Sequence, residues 1–290
     1  MAFSETLTSL RKTAGLSQEK LAERLGVSRQ AVTKWETGAG EPTLENIRAL
    51  ATLFRVSFDT LLGDGIPPGD GKEQIYESVT EYDVDSKKRF DIHLGDVRKA
   101  TLSADGGEKL RVRLSSRSIE SIQSDFKIKL DDIKGRIDVD VIRQNKMTRA
   151  VPKAALIIEI TLPQKYLSAV EVAAHASELA LASLECPSVE LDGRIASLSL
   201  SAVRGRVEVQ SNFDMMISLD DFSGSLELNQ LFATSRIRVP EDFQFRQRTR
   251  GIANRTHYEE GGMTCGPFAM PGAENCIELN GMKNELVIAR

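Results

Sequence analysis

The side chains best suited to reading another molecule are Arg29, Gln30, Thr33 and Lys34, clustered within SQEKLAERLGVSRQAVTKWETG at residues 17–38. An arginine carries paired donors that match guanine O6 and N7, and a glutamine amide pairs with adenine N6 and N7. Arg29 and Gln30 therefore have the chemistry of base readers. Lys34 suits a base or a phosphate, and Thr33 suits a thymine methyl or simple space filling. The alternative is an ordinary solvated face on a small helical domain.

Those residues need a positioning device, and the flanking sequence supplies one. Ser17 precedes a helix that turns Leu21, Ala22 and Leu25 inward, and its hydroxyl can accept from an orphan amide there. Ala22 is small enough for two helices to cross closely. Gly26 can take the positive φ that ends the helix, Val27 plugs the turn, and Ser28 caps the second helix. Val32 and Trp35 face the core at helical spacing, which leaves Arg29, Gln30, Thr33 and Lys34 outward.

With its flanks, about residues 3–62, this segment resembles the lambda-repressor-like helix-turn-helix family, the xenobiotic-response-element type. Gln18, Ala22, Gly26, Val32 and Trp35 carry the likeness, with Arg11 before and Glu36, Gly38 and Pro42 after. Phage repressors are standard examples of this docking. The resemblance implies a major-groove set of Arg29, Gln30, Thr33 and Lys34, and phosphate contacts from Ser17, Gln18 and Ser28. It also implies an Arg11–Glu36 ion pair, of little value to stability if exposed. The expected function is a sequence-specific DNA-binding transcription regulator, a dimeric repressor acting as a homodimer on a double-stranded DNA operator. Charge alone would not nominate it, since residues 1–62 hold eight Lys or Arg against seven Asp or Glu. Non-specific affinity should therefore be modest.

The helical part continues from Pro42 with Leu44, Ile47, Leu50 and Phe54 at core spacing, then a short helix from Ser57 with Leu61 and Leu62. With Leu7 and Leu10 of the first helix these complete an expected five-helix domain over residues 1–62. Residues 63–74 read as a linker, in which GDGIPPGDGK lacks the spacing of a phosphate loop.

From residue 75 to 290 the period alternates and repeats. Val170-Glu171-Val172, Val189-Glu190-Leu191, Val207-Glu208-Val209 and Leu226-Glu227-Leu228 recur at intervals of 19, 18 and 19 residues. A second strand follows each, at 179–184, 198–203, 216–221 and 235–239, so two strands per coil are expected. Such self-similarity marks a solenoid, in which stacked coils bury a continuous apolar column. The stretch Leu130 to Val139, LDDIKGRIDV, echoes Leu219 to Leu228, LDDFSGSLEL. The fold class is thus multidomain α and β, a helical domain followed by an all-β single-stranded solenoid or β-roll. This region, with its IEITLP strand, resembles a bacterial β-solenoid family named for adhesins, a name that implies no biochemical activity.

Residues 241–275 break the period and read as an irregular excursion. Arg246, Arg248, Arg250 and Arg255 there, with Phe243, Phe245, Tyr258 and Phe268, form either a ligand or partner surface or a cap on the terminal coil. The cap is the favoured reading.

Composition points away from other classes. A chain of 290 residues, 41% hydrophobic and 28% charged, with no apolar run near the length of a membrane span, is expected to be cytoplasmic, with no membrane partner. The start MAFSETLTSLRK reads as an amphipathic helix rather than a secretion signal. Cys186, Cys265 and Cys276 have no CxxC spacing, which argues against a disulfide framework or zinc ribbon, while a Cys265–Cys276 redox pair stays open. His93, His175 and His257 lie apart without a ligand pattern, and no catalytic or dinucleotide motif is present. Neither an enzyme, a metal site nor a cofactor is expected. Two roles stay open for the β region: sensing an unknown small-molecule effector, or assembly with a protein partner in a scaffold that the helices only target to DNA.

Overall fold

The computed structural model describes residues 3–14, 16–38, 40, 42–54, 75–144 and 147–290. The chain divides into two compact units, residues 1–73 and 74–290. The first contains α1 (Phe3–Thr13), α2 (Gln18–Leu25), α3 (Arg29–Glu36) and α4 (Leu44–Phe54). The expected helix from Ser57 and the expected linker residues 63–74 lie outside the described residues. Leu7, Leu10, Leu21, Ala22, Val32, Trp35 and Leu50 form its core, each no more than 7% exposed. These are the apolar positions whose helical spacing turns them to one side.

The second unit is a 14-stranded sheet. Its middle is parallel and keeps one register: Val207 pairs with Leu226 and Leu198 with Ile217, each 19 residues on. Ile217 then pairs with Ile237, Ile237 with Ile288 and Ile288 with Tyr258. Like residues therefore lie over like residues, and Leu198, Ile237 and Ile288 are fully buried. The strands are β7 (Leu167–Gln210), β8 (Met215–Leu231) and β9 (Thr234–Arg238), preceded in the stack by β2 (Lys88–Asp105). Phe90, Ile92 and Leu102 of β2 meet Val170, Val172 and Leu181 of β7. Constant offset gives each backbone group a partner in the next rung while the alternating side chains fill one apolar column.

The N-terminal end closes differently. There β1 (Tyr76–Asp83), β3 (Lys109–Ser116) and β6 (Ile157–Pro163) run antiparallel to one another in that order, and β6 lies parallel to β2. On the other side, β4 (Phe126–Ile133) and β5 (Arg136–Arg143) form an antiparallel hairpin whose β5 pairs with β2. The echo between residues 130–139 and 219–228 thus ends in two different structures. Gly224, at φ +137, stacks so closely that a Cβ would lie 1.9 Å from the Gly205 carbonyl oxygen, and the strand continues around a corner. Gly135, at φ +80, has nothing within 4 Å of its Cβ position and sits in a reversing turn. A rung to stack on, and not the local sequence, decides between corner and hairpin.

Residues 241–275 are less irregular than expected. They contain β10 (Phe245–Thr249), β11 (Arg255–Glu260) and β12 (Met263–Cys265), of which β10 and β11 extend the parallel ladder. The rung order is out of sequence. The last strands, β13 (Asn275–Met282) and β14 (Glu285–Ala289), pair with β8 and β9 on one side and with β10 and β11 on the other. The final coil therefore lies between two coils that precede it in the chain. Above them the aromatics Phe222, Phe243, Phe245, Phe268 and Tyr258 pack in succession at centroid distances of 5.0 to 6.3 Å. Phe268 also sits 4.4 Å beneath the Arg290 guanidinium, and β12 adds an antiparallel strand beside β11.

Candidate nucleic-acid interface

The turn between α2 and α3 forms by local chemistry. Ser17, with φ −74 and ψ 159, accepts from the Lys20 amide, and Gly26 adopts the left-handed conformation at φ 66 and ψ 28. The Gly26 N–H closes onto the carbonyls of Ala22 and Glu23, and Val27 N–H donates to Ala22 O at 3.0 Å. Ser28 Oγ then accepts from the Ala31 amide at 3.1 Å and starts α3. Val32 and Trp35, 0% and 5% exposed, fix which face of α3 looks inward.

The outward face carries Arg29, Gln30 and Lys34, all exposed and none with a side-chain hydrogen bond or ion pair among the described residues. Thr33 differs. It is half-buried, and its hydroxyl lies within donating distance of Gln18 Oε1 at 3.2 Å and of the Arg29 carbonyl at 3.0 Å. Gln18 in turn donates through Nε2 to Glu36 Oε2 at 2.8 Å. Gln18 and Thr33 therefore meet at the seam between α2 and α3, a tie the outward helical spacing did not reveal.

Glu36 is the hub of this seam. Arg11 donates to it twice, through Nε at 2.6 Å and Nη2 at 3.0 Å, and its Nη1 donates to the Leu16 carbonyl at 2.8 Å. The pair is largely shielded, with side-chain exposures of 13% for Arg11 and 5% for Glu36. It is not the exposed, weak pair that the sequence left open. Burial alone would raise the Glu36 carboxyl, but the hydrogen bonds from Arg11 and Gln18 and the neighbouring positive charge outweigh it, and the net shift is downward. The bond to Glu36 likewise raises the Arg11 guanidinium. One network thus links α1, α2 and α3 and sets the angle at which α3 presents Arg29, Gln30 and Lys34.

The four arginines of residues 241–275 do not converge in this way. Arg246 Nη1 donates to the Ala273 and Glu274 carbonyls, and Arg250 pairs with Glu278 at 3.1 Å. Arg248 and Arg255 are exposed on separate strands, β10 and β11. Among the described residues, no group of three or more His, Cys, Asp or Glu is arranged to hold a metal, and the three cysteines are free. No described helix is long and apolar enough to cross a membrane.

The helix-turn-helix family pattern matches residues 7–61. An HTH-type transcriptional regulator of Bacillus subtilis, YqaE, is 30% identical over 88 residues, which are 30% of this chain and 72% of that protein. The chain belongs to the helix-turn-helix regulator family. This helix-turn-helix protein is also 39% identical over 95 residues to the HTH-type transcriptional activator BcrR of Enterococcus faecalis, across 33% of its own length and 43% of that relative. A third relative, the cryptic phage CTXphi transcriptional repressor RstR of Vibrio cholerae, is 35% identical over 63 residues, 22% of this chain and 56% of the repressor. The chain thus spans less than half the length of the Enterococcus activator.

Solved structures named for adhesion resemble it as well. One from Clostridium sporogenes has 12% identity and a TM-score of 0.36, covering 74% of this chain and 99% of that one. Another, from Bacteroides fragilis, has 11% identity and a TM-score of 0.35, covering 77% and 100%. Superposition at that level transfers no activity.

Proposed function

We propose that the protein is a dimeric, sequence-specific DNA-binding regulator whose α3 enters the major groove. The observation that carries this reading is the trio Arg29, Gln30 and Lys34, exposed and uncommitted on a helix braced by the Arg11–Glu36–Gln18–Thr33 network. Arg29 reads guanine, Gln30 reads adenine, and Lys34 meets a base or the backbone. Thr33, its hydroxyl engaged by Gln18 and the Arg29 carbonyl, offers its methyl to thymine. Gln18 keeps one amide hydrogen beyond its bond to Glu36, and that hydrogen meets a phosphate beside Ser17 and Ser28. Relatives are named for activation and for repression, and a groove-reading helix serves either.

The larger unit is, in this reading, a single-chain solenoid that caps itself with the strands and aromatics of residues 241–275. Its interior supports an assembly role, because the internal space lined by Ile92, Leu102, Ile160, Val172 and Leu179 measures about 10 Å³, too small for a ligand. An effector would have to sit on the outside. Fluorescence anisotropy of the purified chain on labelled duplexes tests the DNA reading. Binding should weaken linearly in log–log form as salt rises, and Arg29→Ala should relax the preference at one base position of each half-site. No binding at low salt, or equal binding of wild type and variant to every duplex, would overturn it.

A further inference from the structure

At the corner where β7 gives way to β8 the second unit carries an open groove of about 470 Å³, within the ~300–1,000 Å³ of small-molecule sites. Asp192, Arg194, Gln210, Ser211, Phe213 and Leu231 define it. Gly193 lets the backbone of this corner stack tightly on the neighbouring rung: a Cβ there would lie 2.2 Å from the Ala174 carbonyl oxygen.

Part of its polar lining belongs to the scaffold. Asn212 Oδ1 accepts from the Leu231 amide at 3.0 Å, and Gln230 Nε2 donates to the Phe213 carbonyl at 3.1 Å. Gln230 Oε1 accepts from Ser235 at 2.8 Å, and Asn229 bridges Glu208 and Asn280. Other groups are uncommitted. The side chains of Asp192, Gln210 and Arg194 are exposed and have no hydrogen bond or ion pair among the described residues. Ser211, 5% exposed in the lining, has a buried hydroxyl with no hydrogen-bond partner. Phe213 and Leu231 are each 43% exposed, and the Arg194 guanidinium lies 4.6 Å from the Phe213 ring centroid.

The ligand follows from this mixture. Asp192 stands in the lining with Arg194 and His175, so neither a pure anion nor a pure cation is matched, and an apolar molecule would strip water from the charged groups. What fits is a neutral molecule with one C–H face and an edge of groups that both donate and accept. We propose that this groove binds a neutral saccharide, with the C–H face of a pyranose against Phe213 and Leu231 and its hydroxyls bridging Asp192, Arg194 and Gln210. The inference gives the external effector of the regulatory reading a chemical class. It rests on that reading for any consequence at DNA, and on the groove alone for binding.

Saturation-transfer NMR and calorimetry on the full chain test it with methyl pyranosides of glucose, galactose, mannose and N-acetylglucosamine, alongside glucuronate and inorganic phosphate. At least one neutral pyranoside should bind with Kd of about 1 mM or tighter. Gln210→Ala and Phe213→Ala, both at exposed positions, should each weaken it about fivefold, the share of one hydrogen bond or ring contact, with unchanged thermal unfolding. The proposal is overturned if no pyranoside binds, if only glucuronate or phosphate binds, or if both variants bind as well as wild type. Duplex binding recorded on the same sample keeps the two readings apart, because its loss would count against regulation and not against the groove.

Discussion

Glutamine at position 36 is the most informative single change in the helical unit. The Glu36 carboxylate receives hydrogen bonds at 2.6, 3.0 and 2.8 Å from Arg11 and Gln18. Glu36→Gln keeps the size, removes the charge, and replaces one acceptor oxygen by an amide that points its hydrogens at other donors. Breaking an exposed pair costs roughly 0.2–1 kcal/mol and breaking a buried one roughly 3–5 kcal/mol. This pair is shielded but sits on a small unit close to solvent, so about 2–3 kcal/mol is expected. A domain of this size holds only roughly 3–10 kcal/mol in total. At about 4–8 °C per kcal/mol, its Tm should fall by roughly 10–20 °C. The chain has a single tryptophan, Trp35, 5% exposed within the core of this unit. Its emission therefore reports unfolding of the helical unit alone, while far-UV circular dichroism shows that transition and, separately, the one of the sheet. The expected result is a fluorescence transition at markedly lower denaturant with the sheet transition unmoved. A shift below about 0.5 kcal/mol, the range of an ordinary surface substitution, would show that the network braces nothing.

Acid should act through the same carboxylate. Because the folded Glu36 lies below its ordinary value of 4.5, its stabilisation is complete above that pH and fades as pH falls through the lower folded value; Trp35 emission should show the helical unit weakening there, and Glu36→Gln should abolish that dependence. In the stack, Gly205→Ala would place a Cβ 1.8 Å from the Cys186 carbonyl oxygen, and calorimetry should show the sheet losing more than about 3 kcal/mol. Gly26→Ala meets nothing within 4 Å and pays only the left-handed conformation, about 1–2 kcal/mol, read by Trp35. Gln18→Ala should weaken binding to all duplexes alike, measured by anisotropy, since its partners in the protein are Glu36 and Thr33 and the contact proposed for it in DNA is a phosphate.

What the sequence revealed follows the range of the forces involved. The helix-turn-helix was legible because each determinant is local: Ser17 and Ser28 cap within three residues, and Gly26 turns the chain by its own dihedrals. The regular rungs were legible because a nearly constant offset of 18 or 19 residues is written into the apolar pattern. The placement of β13 and β14 was not, since Ile277 pairs with Leu226, 51 residues earlier, while Gln247 takes the other edge. Nothing in either segment encodes which edge each should choose. β10 and β11 escaped notice because FRQRT and RTHYEE are dominated by polar residues, and each buries one side chain, Phe245 or Tyr258. Similarly, helical spacing turned Thr33 outward and the family resemblance gave Gln18 to a phosphate, but neither disclosed that the crossing of α2 and α3 brings the two side chains together.

Selection of duplexes from a random pool by the full chain, with Arg29→Ala and Gln30→Ala selected in parallel, tests the central claim most directly. A dimer reading the groove through α3 should enrich two half-sites about one helical turn, roughly 10–10.5 base pairs, apart. Each variant should relax one base position in each half-site, at about 1–3 kcal/mol of discrimination. An unenriched pool, or one motif shared unchanged by wild type and both variants, would contradict the account.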